Sequence, residues 1–544
     1  MVASIVALAI PLLSTSPVHA ILTPHDPIYI DGNAGFTIPD PVNGGGSGTE
    51  NDPYVIENWK ISAGDAHGIY IRDTTEHFVV RNCLVENAAA NRFGIYLNHV
   101  WYGRIENNTC SNNTQHGICV INGSSNNVII NNTSRNNGIL PLAGFGIELV
   151  DSNNNALINN VCFNNLEGIF LSRSDNNALD NNTISSNHDY GIILYLSDNC
   201  ILSRNTILNN GWRHGNDWTS GIALEQSTYN TISNNTCLNN SYYGIGLFRY
   251  SDHNILENNT CENNDDYGIA LDRGYIGSGC GGNTLNKNTC SNNRVGILLR
   301  QSNNNLTVNN ICTVNFDFGI HIADSDNNLI FHNNFINNIN QADDDGTNYW
   351  DNGYPSGGNY WSDYTGVDEN KGENQDMPGS DGIGDTPYYI PSDNNRDHYP
   401  LMRPWAVKPR AEIRTVIYPA ADVYAFSGDG ARYSRSQLKF DIGSIPSGSN
   451  ILSAKLWLYR FAADSWDGEI LLNRVDDQLW SEKITAAEFD AETLTNEETQ
   501  ASKFMSPGWD CLGVEDQLNV DHKTGHAYSS YRLRWANDDG SEPS

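Results

Sequence analysis

Two carboxylates stand out by position. Glu225 and Asp272 each follow the last residue of a Gly-Ile-x-Leu tetrad, in Gly221-Ile222-Ala223-Leu224-Glu225 and Gly268-Ile269-Ala270-Leu271-Asp272, with one further copy of the tetrad between them. If the copies superimpose as turns of a coil, the two side chains share a wall at about 9.6 Å, twice the spacing of neighbouring strands. That is the outer edge of the roughly 6.5–9.5 Å at which one carboxylic acid protonates a glycosidic oxygen and a second carboxylate activates water. Around them lie residue types that suit a sugar polymer. Tyr195, Arg249, Arg273 and Arg300 fall at or beside the same place in neighbouring copies, and Tyr243 opens the next one. The longest insertion brings Trp212, His214, Asp217 and Trp218 just ahead of Glu225. Flat aromatic faces pack on sugar rings while carboxylates and arginines bind hydroxyls. The arginines point to an acidic polymer. An alternative reaction is elimination at a uronic acid, with Arg249, Arg273 or Arg300 neutralising the sugar carboxylate and His214 or Tyr195 moving the proton. The same charges would equally keep an exposed sheet soluble and unpaired, as in a non-catalytic surface or adhesion protein.

The elements that position these residues are written in a repeat. Gly-Ile recurs at Gly68, Gly94, Gly117, Gly146, Gly168, Gly191, Gly221, Gly244, Gly268, Gly296 and Gly319. The interval is roughly 22 to 30 residues, in the range of short-repeat solenoids. About 14 residues after most of these glycines comes Asn-x-Cys or Asn-x-Ile, as at Asn108, Asn160, Asn182, Asn205, Asn235, Asn259 and Asn310. Apolar and polar positions alternate over segments too short for helices. A unit of three short strands cannot bury its apolar side alone, whereas stacked copies close a continuous core. The pattern predicts an all-β chain whose main part is a right-handed parallel β-helix of about eleven coils.

In such a coil like residues stack. The chain holds 76 asparagines, crowded between Asn82 and Asn340. Stacked amides after each strand would form ladders that satisfy the turn backbone. Sequons occur at Asn107, Asn112, Asn131, Asn234, Asn258 and Asn305, while ladder positions such as Asn108 and Asn235 should be inaccessible to glycosylation. Of the 11 cysteines, Cys110, Cys162, Cys237, Cys261, Cys290 and Cys312 fall in one inward column, interrupted by Ser134, Ile184, Ile207 and Ile336. Free cysteine packs as a small hydrophobe. The rival is a soft-metal or disulfide column, which the inter-coil spacing disfavours for disulfides.

Composition narrows the partners. Across 544 residues, 31 Lys and Arg face 64 Asp and Glu, a formal charge of −33, with no basic block of the kind nucleic acid requires. Met1 to Ala20 is apolar and ends in Val18-His19-Ala20, which reads as a secretory signal. No later stretch is apolar enough to span a membrane. The expected product is secreted, extracellular or cell-surface, or periplasmic where a second membrane exists. Its expected partner is an extracellular polysaccharide or cell-surface glycan.

The flanks carry family resemblances. GGGSGTENDPYVIENWKI followed by HGIYIRDTTEHFVVRNC, and GGNYWSDYTG with SDGIGDTPYYI and DHYPLM, resemble the opening and closing segments of NosD-like β-helix proteins, a match running from about residue 26 to 402. The resemblance implies the fold and repeats shared with carbohydrate-binding and sugar-hydrolysing β-helices. It also implies an alternative function, periplasmic copper binding, for which the 4 Met and 14 His show no paired ligand spacing; His116 and His321 read as surface or turn residues. In the closing segment Asp376, Asp381 and Asp385 lie around Gly382 and Gly384, with Asp343 to Asp345 upstream. Oxygen donors with glycine at the bend suit Ca²⁺. After Pro404, alternating strands around Pro446-Ser447-Gly448 predict a β-sandwich (jelly-roll-like) module, and Ala420 to about Trp480 resembles the DNRLRE and disaggregatase-related modules of archaeal surface proteins. The expected organisation is a signal at 1–20, a cap at 21–66, coils at 67–341, a closing segment at 342–404 and the module at 405–544.

Overall fold

The structure is a computed structural model that describes residues 22–37, 42–138, 144–211, 219–274, 279–392 and 395–405, together with the backbone of the strands between Thr415 and Trp535. The expected signal at 1–20 and the side chains of Trp212, His214, Asp217 and Trp218 lie outside the described residues. The chain divides into two units, Met1–Ala406 and Val407–Ser544.

In the first unit the repeat winds into three parallel sheets of 13, 12 and 14 strands, with about twelve turns and no α-helix among the described residues. The Gly-Ile segments make one of them, from Ile28–Asp31 through Asn340–Asp344, hereafter the Gly-Ile sheet. Its register is unbroken: Ile192, Ile222, Ile245, Ile269 and Ile297 are successive partners. These isoleucines, and the leucines two residues on, are fully buried because strand side chains alternate between faces and this face points into the coil. Winding extends past the expected 67–341 at both ends. Thr23–His25 already pairs with Trp59, Ile28–Asp31 with Ile69, and Tyr360–Trp361 continues the last sheet. The expected cap is thus partly a first coil, which the eleven Gly-Ile pairs do not mark.

The asparagine-cysteine sheet shows why asparagine dominates the composition. From Asn108 through Asn132, Asn160, Asn182, Asn205, Asn235 and Asn259, each side-chain Nδ2 donates to Oδ1 of the next at 2.9–3.1 Å. The same nitrogens reach backbone carbonyls, as from Asn235 to Leu202 O at 2.9 Å, so each buried amide is satisfied along the axis. The residue just ahead of the ladder position sits in the left-handed region, Asn107 at φ 55° and Asn234 at φ 57°, a conformation asparagine tolerates better than most. The pair Asn-Asn therefore encodes a turn and then a ladder rung. Five sequon asparagines, at 107, 112, 131, 234 and 258, are exposed, whereas Asn305 is a buried rung.

The inward cysteine column holds: Cys237, Cys261, Cys290 and Cys312 are consecutive partners, all fully buried, and every described cysteine is free. Its next member is Phe335, not Ile336, because the register pairs Cys312 with Phe335. In the second unit the strands are antiparallel, with one sheet of five and two pairs.

Candidate functional site

The outer face of the Gly-Ile sheet carries three outward columns. One holds the residue before each Gly-Ile, one the residue between Ile and Leu, and one the residue after Leu. Tyr195, Glu225, Phe248, Asp272 and Arg300 are successive partners in the last of these, so Glu225 and Asp272 share one wall two coils apart, as expected.

Their neighbours differ from expectation. Asp272 is fully buried, and both its oxygens are held by the guanidinium of Arg300 on the next coil, with Nε donating to Oδ1 at 3.0 Å and Nη2 to Oδ2. The side chain expected to handle a substrate proton instead anchors an arginine. Glu225 is reached by Arg249 Nη1 at 2.6 Å. Arg249 occupies the left-handed turn after the strand, at φ 47°, which swings its side chain back over the preceding coil. Arg273 is exposed and has no carboxylate partner among the described residues. Removing Arg300 strands a buried carboxylate. Arg300→Ala is expected to cost about 2–3 kcal/mol, below the range for a fully buried pair because the arginine is itself part exposed. Chemical denaturation checks this, and adding Asp272→Asn should restore much of the loss.

Tyr243, expected to face substrate, is buried at 1 % exposure and stacks on Tyr267 at 5.2 Å. It belongs to a second apolar cluster outside the coil with Ile193, Ala223, Phe248, Ala270 and Leu298. Gly246 makes room for it, since a Cβ there would lie 2.4 Å from the Phe248 ring.

Towards the N-terminal coils the same face carries an open run of rings. Tyr70 stacks on Tyr96 at 4.6 Å, Phe93 on His116 at 4.9 Å, His116 on Phe145 at 4.7 Å, and Phe145 meets Phe170 at 4.9 Å. Tyr70, Phe93, Tyr96 and Phe170 stay partly open. His116 is buried in this run and is not a surface residue; burial holds its imidazole down at about 4. His321 stacks on Phe318 at 5.0 Å.

Where the open run meets the buried cluster lies a group of carboxyls that the sequence reading missed. Glu148 accepts the Cys119 thiol at 3.1 Å and stands 3.4 Å from His116 Nε2. His116 Nδ1 accepts the Phe145 N–H at 3.1 Å, so the neutral ring carries its proton on Nε2, facing Glu148. On the next coil Glu167 pairs in register with Phe145, and its Oε2 is closed off from solvent with no hydrogen-bond partner among the described residues. Burial, reinforced by the carboxyls of Asp189 and Glu148, pushes Glu167 up to about 8. The phenol of Tyr190 is pushed up by burial and then by Glu167, Glu225 and Asp189. The available signal was a Glu in a column where other coils place His67, Phe93, His116, Phe145 and Tyr190.

In the closing segment Asp376 is exposed. Asp385 accepts the amides of Glu369 and Asn370, and Asp381 those of Gly372 and Ile383. Among the described residues, no three His, Cys, Asp or Glu gather to hold a metal ion, these aspartates included.

A family profile described as right handed beta helix region matches residues 28–207. The coils of the first unit form a right-handed parallel β-helix. Residues 212–366 of the β-helix match a second profile, described as periplasmic copper-binding protein (NosD). That description implies copper, and the residues present do not fit it: no three-ligand group exists among the described residues, and the closest thiols stand in single file within the dry core. No curated protein sequence matches the chain. Among solved structures, the periplasmic alginate epimerase AlgG is 16 % identical, over 55 % of this chain and 74 % of that one, with a TM-score of 0.35. The Dettilon tailspike protein is 13 % identical over 89 % and 88 %, with a TM-score of 0.38. An alginate lyase from Paenibacillus sp. str. FPU-7 is 13 % identical over 60 % and 97 %, with a TM-score of 0.32. At these values the likenesses carry no weight for the chemistry of this β-helix. No helix among the described residues is long and apolar enough to cross a membrane.

Proposed function

We propose that the outer face of the Gly-Ile sheet binds an extended polysaccharide outside the cytoplasm. The observation that carries this reading is the run of stacked rings from Tyr70 to Phe170, one or two per coil on one face, in which Tyr70, Phe93, Tyr96 and Phe170 stay partly open between the buried His116 and Phe145. Rings stacked on one another in such a row present a continuous apolar strip of ring edges along which a sugar chain can lie, with the polar groups of Tyr70, Tyr96 and Asn98 beside it for hydroxyls. Of the three arginines that suggested an acidic polymer, Arg249 is engaged by Glu225 and Arg300 by Asp272, which leaves Arg273 alone exposed without a carboxylate partner among the described residues. With a net charge of −33, the protein repels a polyanion. The favoured ligand is therefore a neutral or sparsely charged glycan. The segment Val407–Ser544 is proposed as a β-sandwich module of the carbohydrate-binding kind.

The test is calorimetry of the full chain with soluble xylan, mannan, mixed-linkage glucan and polygalacturonate. Tyr96→Ala and Phe170→Ala are each expected to weaken binding of a neutral polymer about tenfold, as for a central aromatic contact. Unchanged affinity in both variants, or binding confined to polygalacturonate and abolished by salt, would replace the aromatic platform with simple charge capture.

A further inference from the structure

We propose that Glu148 is the residue with which the platform reads its sugar, a carboxylate that accepts the hydroxyls of one glycan unit and fixes the register of the chain along the strip of rings. This deepens the platform reading and rests on it.

The place of Glu148 follows from the strand register. Tyr96, Cys119, Glu148 and Phe170 are successive partners in the middle outward column of the Gly-Ile sheet. Rings stand at both ends of this stretch, and the two coils between them, about 9.6 Å of column, carry none. From Tyr29 to Leu298 the column is otherwise aromatic, aliphatic, glycine or Cys119, so Glu148 is its one acidic member. One flank is closed by the stacked rings of His116 and Phe145, the other by Ile121 and Val150. A single carboxyl is thus set into an apolar frame on the very stretch that the rings bracket.

Its orientation is fixed from one side only. Oε2 accepts the Cys119 thiol at 3.1 Å and lies 3.4 Å from His116 Nε2, which carries the imidazole proton. Both donors come from the preceding coil and meet the same oxygen. Oε1 has no bond to the protein among the described residues, and it is not shut away from solvent. No arginine or lysine pairs with Glu148, whereas Glu225, Asp266 and Asp272 on the same face each hold an arginine. A side chain already held in one rotamer loses little further freedom when a ligand binds to its open oxygen. The division of labour is physical. Ring edges give apolar contact that differs little from one sugar to the next, whereas a charge-assisted hydrogen bond depends on where a hydroxyl points. Glu148 therefore discriminates between sugars that differ in the direction of one hydroxyl.

The experiment is calorimetry of the full chain with xylan, mannan and mixed-linkage glucan. The wild type is expected to prefer one of the three by at least about tenfold, the worth of one directed bond to a charged group. Glu148→Gln, whose thermal melt verifies the fold, should weaken the preferred polymer about tenfold and leave the others within about threefold, so that the preference collapses. A structural loosening of the platform would weaken all three alike and overturn the proposal. Cys119→Ser keeps a donor to Oε2 and should retain the preference, while Cys119→Val removes the donor and should reduce it. Equal affinities in the wild type, or a preference that survives in Glu148→Gln, would also overturn the proposal; weaker binding by Tyr96→Ala and Phe170→Ala would then leave the platform standing. Absence of binding to every polymer would remove the platform and the proposal together.

Discussion

Gly268→Val is expected to destroy the cooperative unfolding transition of the β-helix, costing at least about 4 kcal/mol. A Cβ at Gly268 would lie 2.6 Å from the carbonyl oxygen of Gly296, 2.9 Å from Nδ2 of Asn293 and 2.9 Å from Cβ of Cys290. None of these can yield cheaply. The Gly296 carbonyl belongs to the backbone of the next coil, Cys290 is fully buried, and Asn293 Nδ2 is committed to Cys261 O at 3.0 Å and to the amide ladder. Valine adds two further carbons in a core with no slack. Circular dichroism and a thermal melt check the outcome. Gly281→Ala is the control: its nearest neighbour lies at 3.2 Å, and it should cost no more than about 1 kcal/mol. A cooperative, wild-type-like melt for Gly268→Val would show that the coils can spread locally.

Stability should be flat from about pH 4.5 to 6.5 and then fall by about 3 kcal/mol by pH 8 to 9, an order-of-magnitude figure set by the shifts below. Two carboxyls and two imidazoles shape this curve. Burial raises Glu167 from 4.5 to about 8 and Asp397 from 3.8 to about 7. Each adds stability below its unfolded value, because only the folded chain keeps the proton as pH rises, and that stability is lost as pH climbs through the folded value. Burial lowers His67 and His116 from 6.5 to about 4, so their contribution is present above 6.5 and lost as pH falls towards 4. The opposing slopes cancel across the middle window, and above it only the carboxyls remain in play. Below about pH 4, protonation of Asp73 and Asp151, held down by Arg72 and Arg173, turns the curve downward again. Urea unfolding at several pH values measures this. Glu167→Gln should remove most of the alkaline fall and Asp397→Asn the remainder; an unchanged fall in both variants would place its origin elsewhere.

The coil was legible because its signal is a column, repeated at every turn. One glycine that meets the next coil's backbone, one isoleucine and one leucine pointing inward, and paired asparagines for turn and rung are demanded by every coil, so each is written many times over. The shared wall of Glu225 and Asp272 followed from that register alone. Their chemistry did not, because it depends on the partner each side chain meets across coils. Asp272 and Arg300 are neighbours in one column, so their pairing was available to a reading that followed columns as well as copies. The burial of Tyr243 was harder to see. It comes from Ala223, Gly246 and Ala270 together leaving space for an outer layer, and no single one of them announces it. Glu167 was overlooked for the reverse reason: beside Gly168 it looks like an ordinary turn residue, and only the aromatic residues above and below it mark it as out of place.

The amide ladders have a consequence for length. Each rung bonds mainly to the rung before and the rung after, so the molecule behaves as a ruler whose graduation is one strand spacing, about 4.8 Å. Excising one whole turn, from Ile169 to Gly191, would join Gly168 to Ile192, the register partner of Ile169, and would leave each ladder in place, since each lost member is flanked by a like one. Lengthening or shortening the face by whole turns is thus a discrete operation on this sequence, and any fractional change would set two unlike columns against each other at every edge of the coil.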